Sequence, residues 1–187
     1  MMNIILGLML LTQVETPAAQ ESTGAGAGRI LVVYYSRSGT TARIGRELAQ
    51  ALGADTEMIR DTRSRAGFFG WMRSGYEATT KVRPAIQPIE KDPANYDLVV
   101  LGTPVWAGTM ASPMRTYIYQ NHEKFKSVAF FCTQGAKTEQ RAFKDMAALC
   151  GAAPVATLSV QHDVVVKGNY RDRLEKFVAS AREEVGR

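Results

Sequence analysis

Ile30-Leu31-Val32-Val33-Tyr34-Tyr35-Ser36-Arg37-Ser38-Gly39-Thr40-Thr41 changes character twice along its length. An apolar run gives way to a hydroxyl-rich turn, and the turn gives way to a helical pattern. Ile30 to Tyr35 are aliphatic, β-branched or aromatic without polar interruption, the composition of a strand buried on both faces of a parallel sheet. In the turn, Ser36, Ser38, Thr40 and Thr41 set hydroxyls around Gly39, which can take backbone angles closed to other residues. A helix starting there aims unpaired N–H groups at the same point. Strand, hydroxyl loop and helix together make an anion site. A triphosphate loop reads G-x-x-x-x-G-K-S/T, and this turn has neither that spacing nor the lysine, so a single monoester phosphate is the better fit.

Two further stretches repeat the strand-then-loop pattern downstream. One is Asp97-Leu98-Val99-Val100-Leu101-Gly102-Thr103-Pro104-Val105-Trp106-Ala107-Gly108, the other Phe130-Phe131-Cys132-Thr133-Gln134-Gly135-Ala136. In this order, the first loop resembles the flavin-phosphate loop of flavodoxins and the other two resemble that family's flavin-ring loops. The resemblance covers about Arg29 to the C-terminus. It implies an α/β fold: a flavodoxin-like, doubly wound, five-stranded parallel sheet of order 2-1-3-4-5 with helices on both faces. The ligand site then lies beyond the carboxyl ends of strands one, three and four.

Working outward, residues 41–53 carry an apolar stripe at Ile44, Leu48, Ala51 and Leu52 and end at Gly53, the pattern of a crossover helix. Residues 56–60 read as a short second strand. The span 61–95 is long for a connection and should hold structure of its own. Within it, Phe68, Phe69, Trp71, Met72 and Tyr76 predict an amphipathic helix over 65–81, interrupted by Gly70 and Gly75, whose aromatics cap the sheet. Arg83-Pro84 and Gln87-Pro88 exclude regular helix after it. Leu98–Leu101 is the third strand, followed by a shaped loop, and Ser112-Pro113 reads as an N-cap and first-turn proline. Val128–Cys132 is the fourth strand, with Thr133 to Lys137 its exit loop. Phe143, Met146, Ala147 and Cys150 form a helical stripe that makes Cys150 a core residue; 155–160 is the fifth strand, and Tyr170, Leu174, Phe177, Val178 and Ala181 mark the closing helix.

Residues 1–28 behave differently and read as a leader or a disordered tail, with 29–187 the folded domain. Ile4 to Leu11 is apolar but too short to span a bilayer, and within the roughly 7–15 residues of a signal-peptide core. Pro17-Ala18-Ala19 offers small residues for cleavage, while Met1-Met2-Asn3 supplies no side-chain cation. The location expected is cytoplasmic, with export the alternative if residues 1–28 act as a signal peptide. No stable membrane insertion is expected. Gly24 to Gly28 precedes the strand that a dinucleotide fingerprint would have to follow, so it reads as a linker.

The net charge is +5, and residues 29–187 alone carry +7. The Lys and Arg residues are scattered instead of blocked, which disfavours nucleic acid and leaves solubility or an acidic partner. Cys132 and Cys150 lack C-x-x-C spacing, and His122 and His162 stand near no second soft ligand, so no metal site is expected and both histidines read as surface or loop residues.

What the resemblance implies about the site is specific. The cofactor is flavin mononucleotide (FMN), bound without a covalent link. Ser36, Arg37, Ser38, Gly39, Thr40 and Thr41 surround its phosphate, with Arg37 turned to solvent. Thr103, Pro104, Val105, Trp106, Ala107 and Gly108 form the ring loop, with Trp106 against the isoalloxazine. Gly108, or the peptide before it, reorients on reduction to present a carbonyl to flavin N5. Thr133, Gln134, Gly135 and Ala136 contact the pyrimidine end. The function implied is electron transfer in one-electron steps between redox partner proteins, with no catalytic residues.

Two features depart from the family. The loop after strand four has no aromatic, so Phe68, Phe69 or Trp71 covers the second flavin face or that face stays open to a substrate. The chain is also basic, whereas flavodoxins that shuttle electrons are usually acidic. Both keep a second reading in play, an FMN-dependent NAD(P)H:quinone or other small-acceptor oxidoreductase. Other classes fail on the residues. A low-molecular-weight phosphatase needs C-x-x-x-x-x-R, but the sixth residue after Cys132 is Thr138. A phospho-receiver needs acids where Tyr35-Ser36 and Gly102-Thr103 stand.

Overall fold

The computed structural model describes residues 28–63, 65, 67–135 and 141–186, without the side chains of Trp71 and Val166. Strand β1 (Ile30–Tyr35) is central, as its unbroken apolar run requires. It pairs in parallel with β2 (Asp55–Ile59) on one side and β3 (Leu98–Trp106) on the other. The sheet continues through β5 (Val128–Gln134) to β6 (Thr157–Gln161), all parallel. The resulting order, β2-β1-β3-β5-β6, is the predicted 2-1-3-4-5 path. One two-residue strand, β4 (Thr109–Met110), is added off that path, antiparallel to the end of β3.

Alternation along each strand splits the core in two. Ile30, Val32 and Tyr34 of β1 join Val100 and Phe131 under α1 (Thr40–Leu52), α5 (His162–Lys167) and α6 (Arg171–Val185). Leu31, Val33 and Tyr35 join Leu101 and Phe130 under α3 (Ser112–Asn121) and α4 (Ala142–Cys150). Cys150 belongs to this second core, as its place in the helical stripe predicts.

Several boundaries differ from the sequence reading, each for a physical reason. β3 does not stop at Leu101; it runs to Trp106 and folds back into β4 through Ala107 and Gly108, whose φ values are both positive (48° and 78°). A two-residue hairpin of this kind follows the strand twist only with left-handed angles, and Gly108 supplies one of them freely. The expected shaped loop is thus a hairpin, and Gly102 lies inside the strand, where any Cβ would collide with the Phe131 ring. β5 likewise extends through Thr133 and Gln134. Ser112 is not the cap of α3: Ala111 holds that position in extended geometry, and Ser112 is buried in the first turn.

The insertion after β2 contains α2 (Gly67–Thr79), which lies against α3, β3 and β4. Its Gly70 admits the Arg65 backbone, which passes too close for a side chain. Arg65, buried to 6% exposure, is ion-paired with Asp61 and with Glu77 (2.6 Å), while Arg73 bonds the other Glu77 oxygen at 2.7 Å. The proline-bearing return segment is extended, as predicted. Gln87 donates its N–H to Arg60 O, and Ile86 bridges Asp61. Phe68, Phe69 and Tyr76 do not cap the sheet as expected; they face solvent.

Candidate functional site

The carboxyl ends of β1, β3 and β5 open onto one cavity of about 660 Å³. At its floor, Ser36 Oγ accepts the Gly39 N–H at 3.1 Å, and Gly39, with φ 91°, is the N-cap of α1. No side chain caps this helix; its first intrahelical bond runs from the Arg43 N–H to Gly39 O. The N–H groups of its first turn are therefore left for a ligand, with the positive end of the helix dipole behind them. Ser38, Thr40 and Thr41 all line the cavity. Thr41 Oγ1 lies 2.7 Å from Thr133 Oγ1, which ties the loop to the end of β5.

The wall opposite is the β3–β4 hairpin, with Pro104, Val105, Trp106 and Ala107 lining the cavity. Trp106 is half-buried and meets Tyr35 edge-on, with centroids 5.5 Å apart at 89°, and the Arg65 guanidinium lies 5.4 Å from its ring centre. Burial pushes the Tyr35 phenol up to about 12, so the ring beside Trp106 stays neutral. At the hairpin tip the Gly108 carbonyl accepts the Arg141 N–H at 2.9 Å.

Gln134 presents the most telling group. Its Nε2 donates to Ser159 Oγ at 3.3 Å, while its Oε1 is buried without a hydrogen-bond partner among the described residues. A buried acceptor of this kind is costly unless something supplies a donor. The cavity therefore offers hydroxyls and helix N–H groups suited to a phosphate at one end and a flat indole along one wall, with Gln134, whose Oε1 is buried, in its lining at the end of β5.

Of the residues expected here, Arg37, Ser38, Thr40, Thr41, Pro104, Val105, Trp106, Ala107, Thr133, Gln134 and Gly135 line the cavity. Ser36, Gly39, Thr103 and Gly108 do not line it; Ser36 and Gly39 form the turn before α1, Thr103 lies within β3, and Gly108 is at the β3–β4 hairpin tip. The Thr103 hydroxyl is spent within the fold, accepting the Ala111 N–H and donating to Pro104 O. Ala136 lies outside the described residues, as does the side chain of Trp71. Arg37 is exposed. Four lining residues were not anticipated. Met72, Ser74 and Gly75 come from α2, so neither Phe68 nor Phe69 is the residue that approaches the cavity. The fourth, His162, begins α5 with Nδ1 3.2 Å from Thr40 Oγ1. Nothing near it in sequence signals this, because Thr40 is more than a hundred residues away. Among the described residues no group of three or more His, Cys, Asp or Glu could hold a metal ion. No helix among them is long and apolar enough to cross a membrane.

The sequence model of the flavodoxin family matches residues 29–179. No curated protein matches the chain. Among solved structures, a candidate flavoprotein from Bacteroides eggerthii is 25% identical with a TM-score of 0.65, covering 80% of this chain and 98% of its own. A flavoprotein from Lactobacillus acidophilus, crystallised in complex with FMN, is 22% identical with a TM-score of 0.62, covering 80% and 99%. An NADH:FMN oxidoreductase in its apo form shares the fold at 12% identity, with a TM-score of 0.53 and coverage of 84% and 90%.

Proposed function

Because the chain belongs to the flavodoxin family, we propose that it binds FMN without a covalent link and transfers electrons in one-electron steps between redox partner proteins. What supports this is the convergence in one cavity of an uncapped α1 N-terminus, the Trp106 ring and the orphaned Gln134 acceptor. When bound, the flavin supplies the electron chemistry. The chain's own residues bind and tune. Ser38, Thr40 and Thr41 with the first turn of α1 hold the phosphate. His162, through its contact with Thr40, adds a polar group on the same side. Trp106 gives a flat face at low entropic cost, held by Tyr35 and Arg65. Gln134 Oε1 accepts a ring N–H. The Gly108 carbonyl is tied to Arg141, so a reorientation at this hairpin tip toward a bound flavin would fall to the Ala107–Gly108 peptide.

Purified protein should be yellow, or should bind FMN with measurable heat; a colourless protein giving no heat would sink the reading. Trp106→Ala should raise the FMN dissociation constant about tenfold, the worth of one aromatic contact, and shift both flavin potentials. A reductive titration should pass through a one-electron stage.

A second reading, an FMN-dependent NAD(P)H:quinone oxidoreductase, is favoured by one observation. Among the described residues, those of α2 that line the cavity are Met72, Ser74 and Gly75, none of them a ring, an arrangement that suits access by a small acceptor. Turnover of NADH or NADPH with a quinone, without added reductase, would establish it and displace the carrier.

A further inference from the structure

The strongest unexplained feature lies beside the cavity. Phe68, Phe69, Met72 and Tyr76 of α2 are 67%, 85%, 52% and 68% exposed. Residues 68, 72 and 76 follow one another at four-residue spacing, so they share one face of the helix. A contiguous apolar face of this size on a soluble protein marks an interaction site. The helix is held in place by the buried Arg65 pairs with Asp61 and Glu77, so its face is a fixed feature of the rim.

Charge selects the occupant. Residues 60–83 contain six Lys or Arg against two Asp or Glu, a net +4 of the chain's total +5. Both acids, Asp61 and Glu77, are turned inward and spent on Arg65 and Arg73. Arg60, Arg63, Lys81 and Arg83 remain exposed, and Arg83 sits 3.6 Å from the centre of the exposed Tyr119 ring. The surface thus shows cations and apolar rings, and the segment's acid in the groove lining, Asp61, is neutralised by its pair with Arg65. It is also concave. A groove of about 770 Å³ runs between the end of β2 and α2, with Met58, Ile59, Phe68 and Arg60 in its lining. A groove suits a protruding side chain better than a lipid surface, which a convex helix would meet.

We propose that this face docks an acidic protein, with an apolar side chain of the partner in the Met58–Phe68 groove and its carboxylates against Arg60 and Arg63. The proposal rests on the electron-transfer reading for its purpose, since Met72 and Gly75 of the same helix line the cavity and a partner seated there would be adjacent to the flavin. Its test does not depend on flavin. One probe protein serves in two charge forms: native cytochrome c, which is basic, and the same protein with its lysines succinylated, which is acidic. Binding of each to the full-length protein as purified is measured by surface plasmon resonance at low and moderate salt.

Succinylated cytochrome c should bind at least roughly tenfold more tightly than the native form, and salt should weaken it. Arg60→Glu with Arg63→Glu should abolish that preference. Arg171→Glu with Lys176→Glu, on exposed positions of α6 across the sheet, changes net charge equally and should leave most of it. Phe69→Ser should weaken binding several-fold. Equal effects of the two double variants would reduce the preference to overall charge and overturn the proposal. Capture by phosphatidylglycerol vesicles that Phe69→Ser abolishes, without preference between the cytochromes, would make the face a lipid contact and overturn it too. A flavin-free preparation that still shows the preference would keep the docking face while sinking the cofactor assignment. With FMN bound, electron transfer from the reduced protein to the ferric haem, one electron each, should follow the same order.

Discussion

At the scale of single residues, the site is defined by groups whose needs the chain itself does not meet. Gln134 Oε1 is the clearest, a buried acceptor with no donor among the described residues. Leaving such a group unsatisfied costs about 1–3 kcal/mol, so Gln134→Met should stabilise the flavin-free protein by about 1 kcal/mol in urea unfolding. The same change should weaken FMN about tenfold by calorimetry. Opposite signs are the signature of a group kept for a ligand; a loss in both measurements would make Gln134 a structural residue. Gly102 shows the reverse case, a residue fixed by the fold alone. Gly102→Ala drives a methyl into the fully buried Phe131 ring, an overpacking worth about 1–3 kcal/mol of global stability. Both residues were legible in sequence only as members of a motif. Their spacing from strands placed them near a site, but nothing in it told a ligand acceptor from a packing glycine, because Phe131 and Ser159 reach them from other strands.

Among the elements, α2 depends most on electrostatics. Burial alone would raise the Glu77 carboxyl, but hydrogen bonds and charge from Arg73 and Arg65 outweigh it and hold the group below its ordinary value of 4.5. A depressed carboxylate contributes stability that is complete above the unfolded value and is lost as pH falls through the folded one. Between pH 6 and pH 3, α2 should therefore lose hydrogen-exchange protection, corrected for intrinsic rates, before β1 and β3 do. Glu77→Gln should loosen α2 already at pH 6; simultaneous loss across the sheet would show that the clamp is not the weak point. The sequence revealed that α2 exists, because its aromatic periodicity is helical, but not which way it faces. Amphipathicity reads as burial when a helix has nothing else to meet, whereas here buried Arg65 anchors it and Phe68, Phe69 and Tyr76 are turned outward. The hairpin was misread for a related reason. Gly102, Pro104 and Gly108 look like loop punctuation, yet pairing of Val105 with Met110 and Trp106 with Thr109 extends the strand through them.

For the whole molecule, the strand order was the most legible property, since five apolar runs separated by helical stripes admit few arrangements of a parallel sheet. Closure of the site was not, because it depends on contacts across the fold, such as Thr41 with Thr133 and Thr40 with His162. Those contacts give the ligand its leverage on stability. A cavity assembled from β1, β3, β5, α1, α2 and α5 exists only when the entire sheet is folded, so FMN binds the native state and not the unfolded chain. At one hundred times its dissociation constant it should add about 2.7 kcal/mol, which in a chain of this size raises the melting temperature by roughly 5–10 °C. Riboflavin offers the ring to Trp106 and Gln134 but no phosphate to α1, so at the same free concentration its shift should be markedly smaller. Equal shifts from the two compounds would mean that the hydroxyl loop from Ser36 to Thr41 holds no phosphate, and that the binding energy comes from the ring wall alone.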